Sequence, residues 1–259
     1  MAEPFIRIKN VEKTYYTKDS DILAVDDVSF DIDESEFVAI VGPSGCGKTT
    51  ILKMLAGLVS YTAGEITIDG KRVDRPQTDL GIIFQDAVLL DWRDVLSNVM
   101  LQIDIRKLDK AKYRKRAMEL LSDVGLDGFE HQRPYELSGG MRQRVSICRS
   151  LVHNPPLLLM DEPFGALDAL TREQISMDIQ HIWMEERKTA LLITHSIPEA
   201  VLLSDRVIVM TPRPGKIAEI IEIDLPHPRR LDRLPEKHNE YTGHIRDIFQ
   251  ASGVLALDI

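Results

Sequence analysis

The chain has 259 residues, 41 acidic against 32 basic side chains for a formal net charge of −9, and 44% hydrophobic residues. That length buries a full core as one large domain or a domain plus a subdomain, and the hydrophobic share excludes a disordered chain. The acidic balance, with no long Lys/Arg run, argues against a protein that grips a nucleic-acid backbone.

No stretch approaches the roughly 18 consecutive apolar residues of a spanning helix. The best apolar runs, LLLM at 157–160 and VIVM at 207–210, are strand-sized. The N-terminal MAEPFIRIKN lacks the basic start and long apolar segment of a secretory signal. Two cysteines, Cys46 and Cys148, do not make a disulfide framework. The expectation is a reduced, cytoplasmic chain, soluble by itself.

In chain order, strand-like runs fall at 5–8, 28–32, 37–41, 65–68, 81–84, 157–160, 190–194, 206–210 and 217–223. Several are continuously apolar, as in parallel strands buried on both faces; others alternate, as in an antiparallel sheet with one wet face. Helical patterns occupy 48–57, 109–124, 139–153 and 170–187, with Ala117, Leu120, Leu121 and Val124 on the apolar side of the second. Residues 86–155 read as helical without a strong strand, and strands flank that block on both sides. This predicts a helical insertion in an α/β sheet. After Leu225 the sequence PHPRRLDRLPEKH opens a short tail, in which 238–251 can form one amphipathic helix.

Residues 42–50 are Gly42, Pro43, Ser44, Gly45, Cys46, Gly47, Lys48, Thr49 and Thr50, which fill the pattern G-x-x-x-x-G-K-[ST] between strand 37–41 and a helix starting at Lys48. Glycines let the backbone wrap a phosphate chain, and the helix N-terminus aims partial positive charge at it. Lys48 can neutralise the terminal phosphates and Thr49 can ligate Mg²⁺. The alternative, a Gly-rich turn with a chance lysine, does not account for every position being filled in the right context. Cys46 reads as a small packed group, or as a thiol accessible when nucleotide is absent. At 157–163 an apolar strand ends in Asp161 and Glu162 before Pro163. Asp161 suits Mg²⁺ and Glu162 suits a water-polarising base, whereas such a pair alone would be a solvated turn.

Residues 137–144, Leu-Ser-Gly-Gly-Met-Arg-Gln-Arg, complete a set. With 42–50 and 157–163 they make the chain similar, over about residues 5 to 225, to the nucleotide-binding subunit of an ABC transporter. The resemblance implies an α/β P-loop NTPase (RecA-like) core with an N-terminal antiparallel β subdomain and an inserted helical subdomain. The cassette would span 1–225, its helical part about 86–155, followed by the tail 226–259. It implies ATP and Mg²⁺ as ligands and ATP hydrolysis as the activity. In that family LSGG caps the ATP held by a second subunit; here Ser138 can cap a helix starting near Gly139, and Gly139 and Gly140 let amides approach the γ-phosphate.

The same resemblance makes Gln85 the glutamine that senses the γ-phosphate and Mg²⁺, with Thr49 and Asp161 as its companions at the metal. His195 becomes the switch histidine, Asp168 in GALD the aspartate that crosses the dimer interface, and Tyr15 the aromatic that stacks on adenine, with Tyr16 as a substitute. Glu162, His195, Gln85 and Lys48 are the expected catalytic set. Two departures stand out. Ser196 follows the switch histidine where Asp is common, and Ser196-Ile-Pro-Glu199 still spells a capping box. Met141 stands where Gln is common.

The expected partners are a second copy of the chain, transmembrane permease subunits and, indirectly, an extracytoplasmic substrate-binding protein, with no nucleic acid. The chain would sit peripherally at the cytoplasmic face of the inner membrane. Leu89, Leu90 and Trp92 fall near the groove where family members receive a permease helix; the alternative is that Leu89 and Leu90 are ordinary core. DEPFGALDALTRE and RPGKI (213–217) most resemble the importer branch for nitrate, sulfonate, taurine and related solutes. A non-transport ATPase acting on ribosome or DNA is the alternative, opposed by the single cassette and the lack of heptads or a basic surface. A switch without hydrolysis is opposed by Glu162 and His195.

Overall fold

In chain order the elements are β1 (Ile6–Tyr16), β2 (Asp21–Ile32), β3 (Phe37–Val41), α1 (Lys48–Leu55), β4 (Ala63–Ile68), β5 (Lys71–Arg72), β6 (Leu80–Ile83), α2 (Val95–Val99), α3 (Leu101–Arg106), α4 (Lys110–Asp123), α5 (Gly139–Leu151), β7 (Leu157–Asp161), α6 (Ala169–Glu186), β8 (Thr189–Thr194), α7 (Ile197–Leu203), β9 (Arg206–Met210), β10 (Ile217–Glu222) and α8 (Glu236–Ala251). The computed structural model describes residues 3–18, 20–165, 167–230 and 236–254. Of the tail predicted over 226–259, residues 231–235 and 255–259 lie outside the described residues. The chain divides into two units, one running to Thr78 and resuming at Arg187, the other Asp79–Glu186.

The first unit holds an antiparallel sheet of order β2-β1-β4-β5. Ile6, Ile8 and Val11 of β1 and Val25, Val28, Phe30 and Ile32 of β2 are buried, while charged residues alternate with them outward. Both strands extend well beyond the apolar runs at 5–8 and 28–32. Their outer portions, such as Asp21–Leu23 and Glu12–Thr14, are mixed in polarity, so a sheet with one wet face hides them from a hydrophobicity reading.

The same unit holds a parallel set. Every residue of β3 and of β8 is buried, as continuous apolar runs predict. β3 pairs in parallel with both β8 and β9, and β10 runs antiparallel to β9. α8 packs on α7. Between them, Arg229 is only 4% exposed, and its guanidinium donates to the carbonyls of Val201 and Ser204 at 2.7 Å each and to those of Ile223 and Leu225. A cation at the C-terminal end of α7 also suits that helix's dipole. Burial pushes its pKa down, to about 10. Arg229→Met should destabilise the fold by about 3 kcal/mol, because four buried carbonyls lose their donor; urea denaturation would check it.

In the second unit β6 and β7 form a parallel pair, with α2–α5 between them in sequence. Asp94 caps α2 and Asp109 caps α4. Val95, Val99, Ile103, Leu120, Leu121 and Val145 make the helical core. α4, α5 and α6 lie close to the predicted 109–124, 139–153 and 170–187.

Candidate active site

In the first unit the loop 42–47 leaves the buried β3 and turns into α1. Gly47 sits at φ 102°, and a Cβ there would lie 2.8 Å from Val25 Cγ2 and 2.9 Å from the Ala24 carbonyl oxygen. No other residue fits that backbone beside that strand. From the other side comes the turn after β9, and a Cβ on Gly215 would meet the Cys46 carbonyl oxygen at 1.8 Å. Gly215 is itself stitched to β2, donating to the Ala24 carbonyl and accepting from Asp26 N–H, both at 3.0 Å. The loop is thus clamped between β2 and the RPGKI turn, while Ser44 and Gly45 face outward.

Lys48 is 5% exposed and folds back onto its own loop, donating to the carbonyls of Gly42 (2.8 Å) and Pro43 (3.0 Å). The first turn of α1, with Thr49 and Thr50, adds the N–H groups that every helix start leaves unpaired within the helix. Cys46 is buried, and burial raises its thiol pKa despite Lys48 alongside. Of the two readings of Cys46, the packed group holds and the accessible thiol does not. Tyr15 is half-buried, its hydroxyl 3.4 Å from Thr50 Oγ1 and the Lys13 ammonium 5.0 Å from its ring centre. Tyr16 is largely exposed.

His195 is exposed at the end of β8 and borders a cleft of about 320 Å³ with Gly42, Pro43 and residues of α8. The capping box expected of Ser196 does not form, since its side chain makes no capping hydrogen bond. The buried Thr194 takes that place instead: its hydroxyl accepts from Ser196 N–H at 3.0 Å and donates to the Glu199 carboxylate at 2.8 Å.

In the second unit Asp161 closes β7, and Glu162 follows at φ 48°. The left-handed region is unusual for a non-glycine residue, and such strain concentrates at working sites. A Cβ on Gly165 would lie 3.3 Å from Gln85 Nε2. Gln85 is therefore brought against the turn that follows Glu162. Ser138 caps α5, accepting from Met141 N–H at 3.2 Å. A Cβ on Gly140 would strike Thr171 Cγ2 at 2.4 Å, and Thr171 in turn gives its hydroxyl and N–H to Asp168. These bonds hold the Asp168 carboxyl below the usual carboxylate range. So Gly140, in the first turn of α5, lies against Thr171 beside Asp168.

Farther along α5, Gln143 donates to the Phe84 carbonyl at 3.2 Å, and Arg149 donates to those of Ala87 (2.8 Å) and Val88 (2.7 Å). The segment after Gln85 is thereby tied to α5. Trp92 is 73% exposed and Val88 is exposed too, while Leu89 and Leu90 are half-buried.

The family model described as ABC transporter matches residues 25–165. The chain belongs to the ABC transporter family. This ABC chain is 50% identical over 201 residues to the taurine import ATP-binding protein TauB of Rhizobium johnstonii, covering 78% of this chain and 77% of that one. It is 39% identical over 255 residues to the aliphatic sulfonates import ATP-binding protein SsuB of Bacillus cereus, covering 98% and 99%. Among solved structures, the ATP-binding cassette MJ0796, a dimeric post-hydrolysis state bound to ADP and Pi, superposes with a TM-score of 0.75 at 34% identity, covering 85% of this chain and all of that one. These likenesses agree with the expected P-loop core and antiparallel subdomain. Sequence reasoning about this ABC chain missed Gln143, Arg149, Thr171 and Gly215. Gln143 stood within 137–144, Thr171 within DEPFGALDALTRE and Gly215 within RPGKI, but none of them had been given a role.

Proposed function

We propose that this chain is the ATP-hydrolysing subunit of an importer for a small solute such as taurine, an aliphatic sulfonate, nitrate or a related compound. Two copies close head to tail on ATP, and hydrolysis reopens them, moving partner permease subunits that an extracytoplasmic binding protein supplies. The observation that carries the reading is the clamped loop 42–50 with its retracted Lys48, in a chain whose relatives are named for taurine and sulfonate import.

Lys48 exchanges its contacts with the Gly42 and Pro43 carbonyls for the terminal phosphates of ATP, and Tyr15 stacks on adenine. Ser138, Gly139 and Gly140 of one copy, with Asp168 nearby, cap the nucleotide held by the other. Glu162 polarises a water whose oxygen bonds to the γ-phosphorus as the bond to the ADP oxygen breaks; the water's proton passes to Glu162, and ADP leaves with phosphate. His195 and Lys48 stabilise the charge on the transferred group, and Gln85 registers its loss.

Thr49, Gln85 and Asp161 offer oxygen donors only, which fits Mg²⁺. Among the described residues no three His, Cys, Asp or Glu side chains cluster to hold a metal. Bound there, Mg²⁺ would screen the phosphate charge.

The permeases dock on the exposed Val88 and Trp92, and the chain stays peripheral at the cytoplasmic face. No helix among the described residues is long and apolar enough to cross a membrane. Trp92→Ala should leave ATP affinity unchanged and lower solute uptake at least about tenfold in vesicles that carry the co-purifying permeases, since exposed Trp residues often anchor interfaces. Unchanged uptake would remove Trp92 from the interface, and stimulation of ATP turnover by taurine or an alkanesulfonate in the same vesicles tests the substrate.

A further inference from the structure

The acidic total of the chain conceals a local reversal. From Arg106 to Arg116 seven of eleven residues are Lys or Arg and only Asp109 is acidic, in a chain of net charge −9. The segment is the end of α3, the turn after it and the first half of α4. Lys107, Lys110, Lys112, Arg114 and Lys115 are exposed, and so is Ile105 beside them. Ion pairs answer some of these charges: Arg106 with Asp79 (3.4 Å), Lys110 with Asp104 (2.8 Å), Lys115 with Glu119 (3.6 Å) and Arg116 with Glu186 (2.6 Å). The side chains of Lys107 and Arg114 have no hydrogen-bond or ion-pair partner among the described residues, and Lys112 meets only the ring of Tyr113, at 5.6 Å.

The fold does not ask for this array. The dipole of α3 favours cations at its C-terminal end, which suits Arg106 and Lys107. The dipole of α4 points the other way there: Lys110 and Lys112 stand in its first turn, where cations are unfavourable. Lys110 also lies one turn from Arg114, and Lys112 one turn from Arg116, so like charges are stacked along the helix. An anionic surface outside the chain relieves both penalties.

The position of the corner says which surface. Asp104 binds Arg93 at 2.7 Å and Lys110 at 2.8 Å, so the corner continues directly from the segment that carries Trp92. A permease held at Trp92 brings the lipid around it to the same neighbourhood. The exposed cations are mostly lysines, which protein interfaces disfavour and anionic headgroups attract. Ile105 adds an exposed apolar side chain, as helices lying at a membrane surface do.

We propose that the α3–α4 corner, through Lys107, Lys110, Lys112, Arg114 and Lys115, binds the anionic phospholipid headgroups of the membrane directly. The chain then has two holds on the membrane, one through the permease and one through lipid. The nearness of the bilayer rests on the permease docking proposed above; the attraction to headgroups can be measured without any permease.

The test floats the full chain with permease-free vesicles. Phosphatidylglycerol mixed with phosphatidylcholine should carry the chain up the gradient at low salt, phosphatidylcholine alone should not, and added salt should release it. Lys107→Gln, Lys112→Gln, Arg114→Gln and Lys115→Gln together should weaken binding at least about tenfold while ATP hydrolysis in solution stays at the parent rate. The same charge removed elsewhere, by Lys9→Gln, Lys53→Gln, Lys71→Gln and Arg75→Gln, should cost less than about threefold. Equal losses in the two variants would show a response to net charge alone and overturn the proposal. Equal binding to neutral and anionic vesicles overturns it too, as does tighter binding to duplex DNA than to anionic vesicles. If the corner variant lowers uptake equally in permease vesicles of neutral and of anionic lipid, the corner meets the permease and not the lipid. Failure to float with uptake intact removes the lipid contact and leaves the transport reading standing.

Discussion

Glu162→Gln is expected to bind ATP as the parent does and to hydrolyse it about 10²- to 10⁴-fold more slowly, the range that a positioned general base contributes. The amide keeps the size of the carboxylate and its place at the end of β7, but it cannot accept the proton of the attacking water. The backbone supports a dedicated role. A φ of 48° directly before Pro163 is a costly conformation, and it persists because β7 on one side and the Pro163–Gly165 turn on the other fix it. Phosphate release and binding of a fluorescent nucleotide, measured on the same preparation, separate the two effects. Hydrolysis at the parent rate would show that another group takes the proton.

Gly215→Ala is expected to weaken ATP binding about 10- to 100-fold, although the residue lies far from 42–50 in sequence. The new methyl would stand 1.8 Å from the Cys46 carbonyl oxygen and 2.8 Å from Met210 Cε. The methionine can move; the carbonyl is backbone and can give way only if the phosphate loop shifts. Overpacking of this kind costs about 1–3 kcal/mol. Here the displaced atoms belong to the binding site, so the cost falls on affinity. Gly243→Ala is the control, since it sits in α8 with nothing within 4 Å of the new Cβ, and it should be neutral or mildly stabilising. Equal ATP affinity in both variants would show that the loop does not depend on the turn after β9.

These two residues mark what could be read from the sequence. The place of Glu162 at the end of a buried strand was legible because its signal is local: an apolar strand, two carboxylates, a proline. The phosphate loop was legible for the same reason, and so were the fully buried β3 and β8. Gly215 was not, because its meaning lies in a close approach to Cys46 and Ala24 that no spacing rule encodes. Ser196 misled for a related reason. The pattern Ser-x-x-Glu was present, but the hydroxyl that does the bonding came from Thr194 on the preceding strand. The tail read as a short segment with one amphipathic helix and no role for Arg229, since a buried arginine looks like any solvated one until its carbonyl partners are known.

The helix α5 is joined to two places at once. Its first turn packs through Gly140 on Thr171, beside Asp168, and its last turn holds the carbonyls of Ala87 and Val88 through Arg149. At about 1.5 Å per residue a helix of this length is a stiff rod roughly 20 Å long. A rod shared in this way leaves neither end free to adapt alone: tilting the end that would meet the partner's nucleotide must drag the segment that carries Trp92. Substitutions at Arg149 and at Gly140 should therefore give linked defects, with each disturbing the job assigned to the other end. The timing of nucleotide capture and of permease movement would then be a property of one lever rather than of two sites that signal to each other.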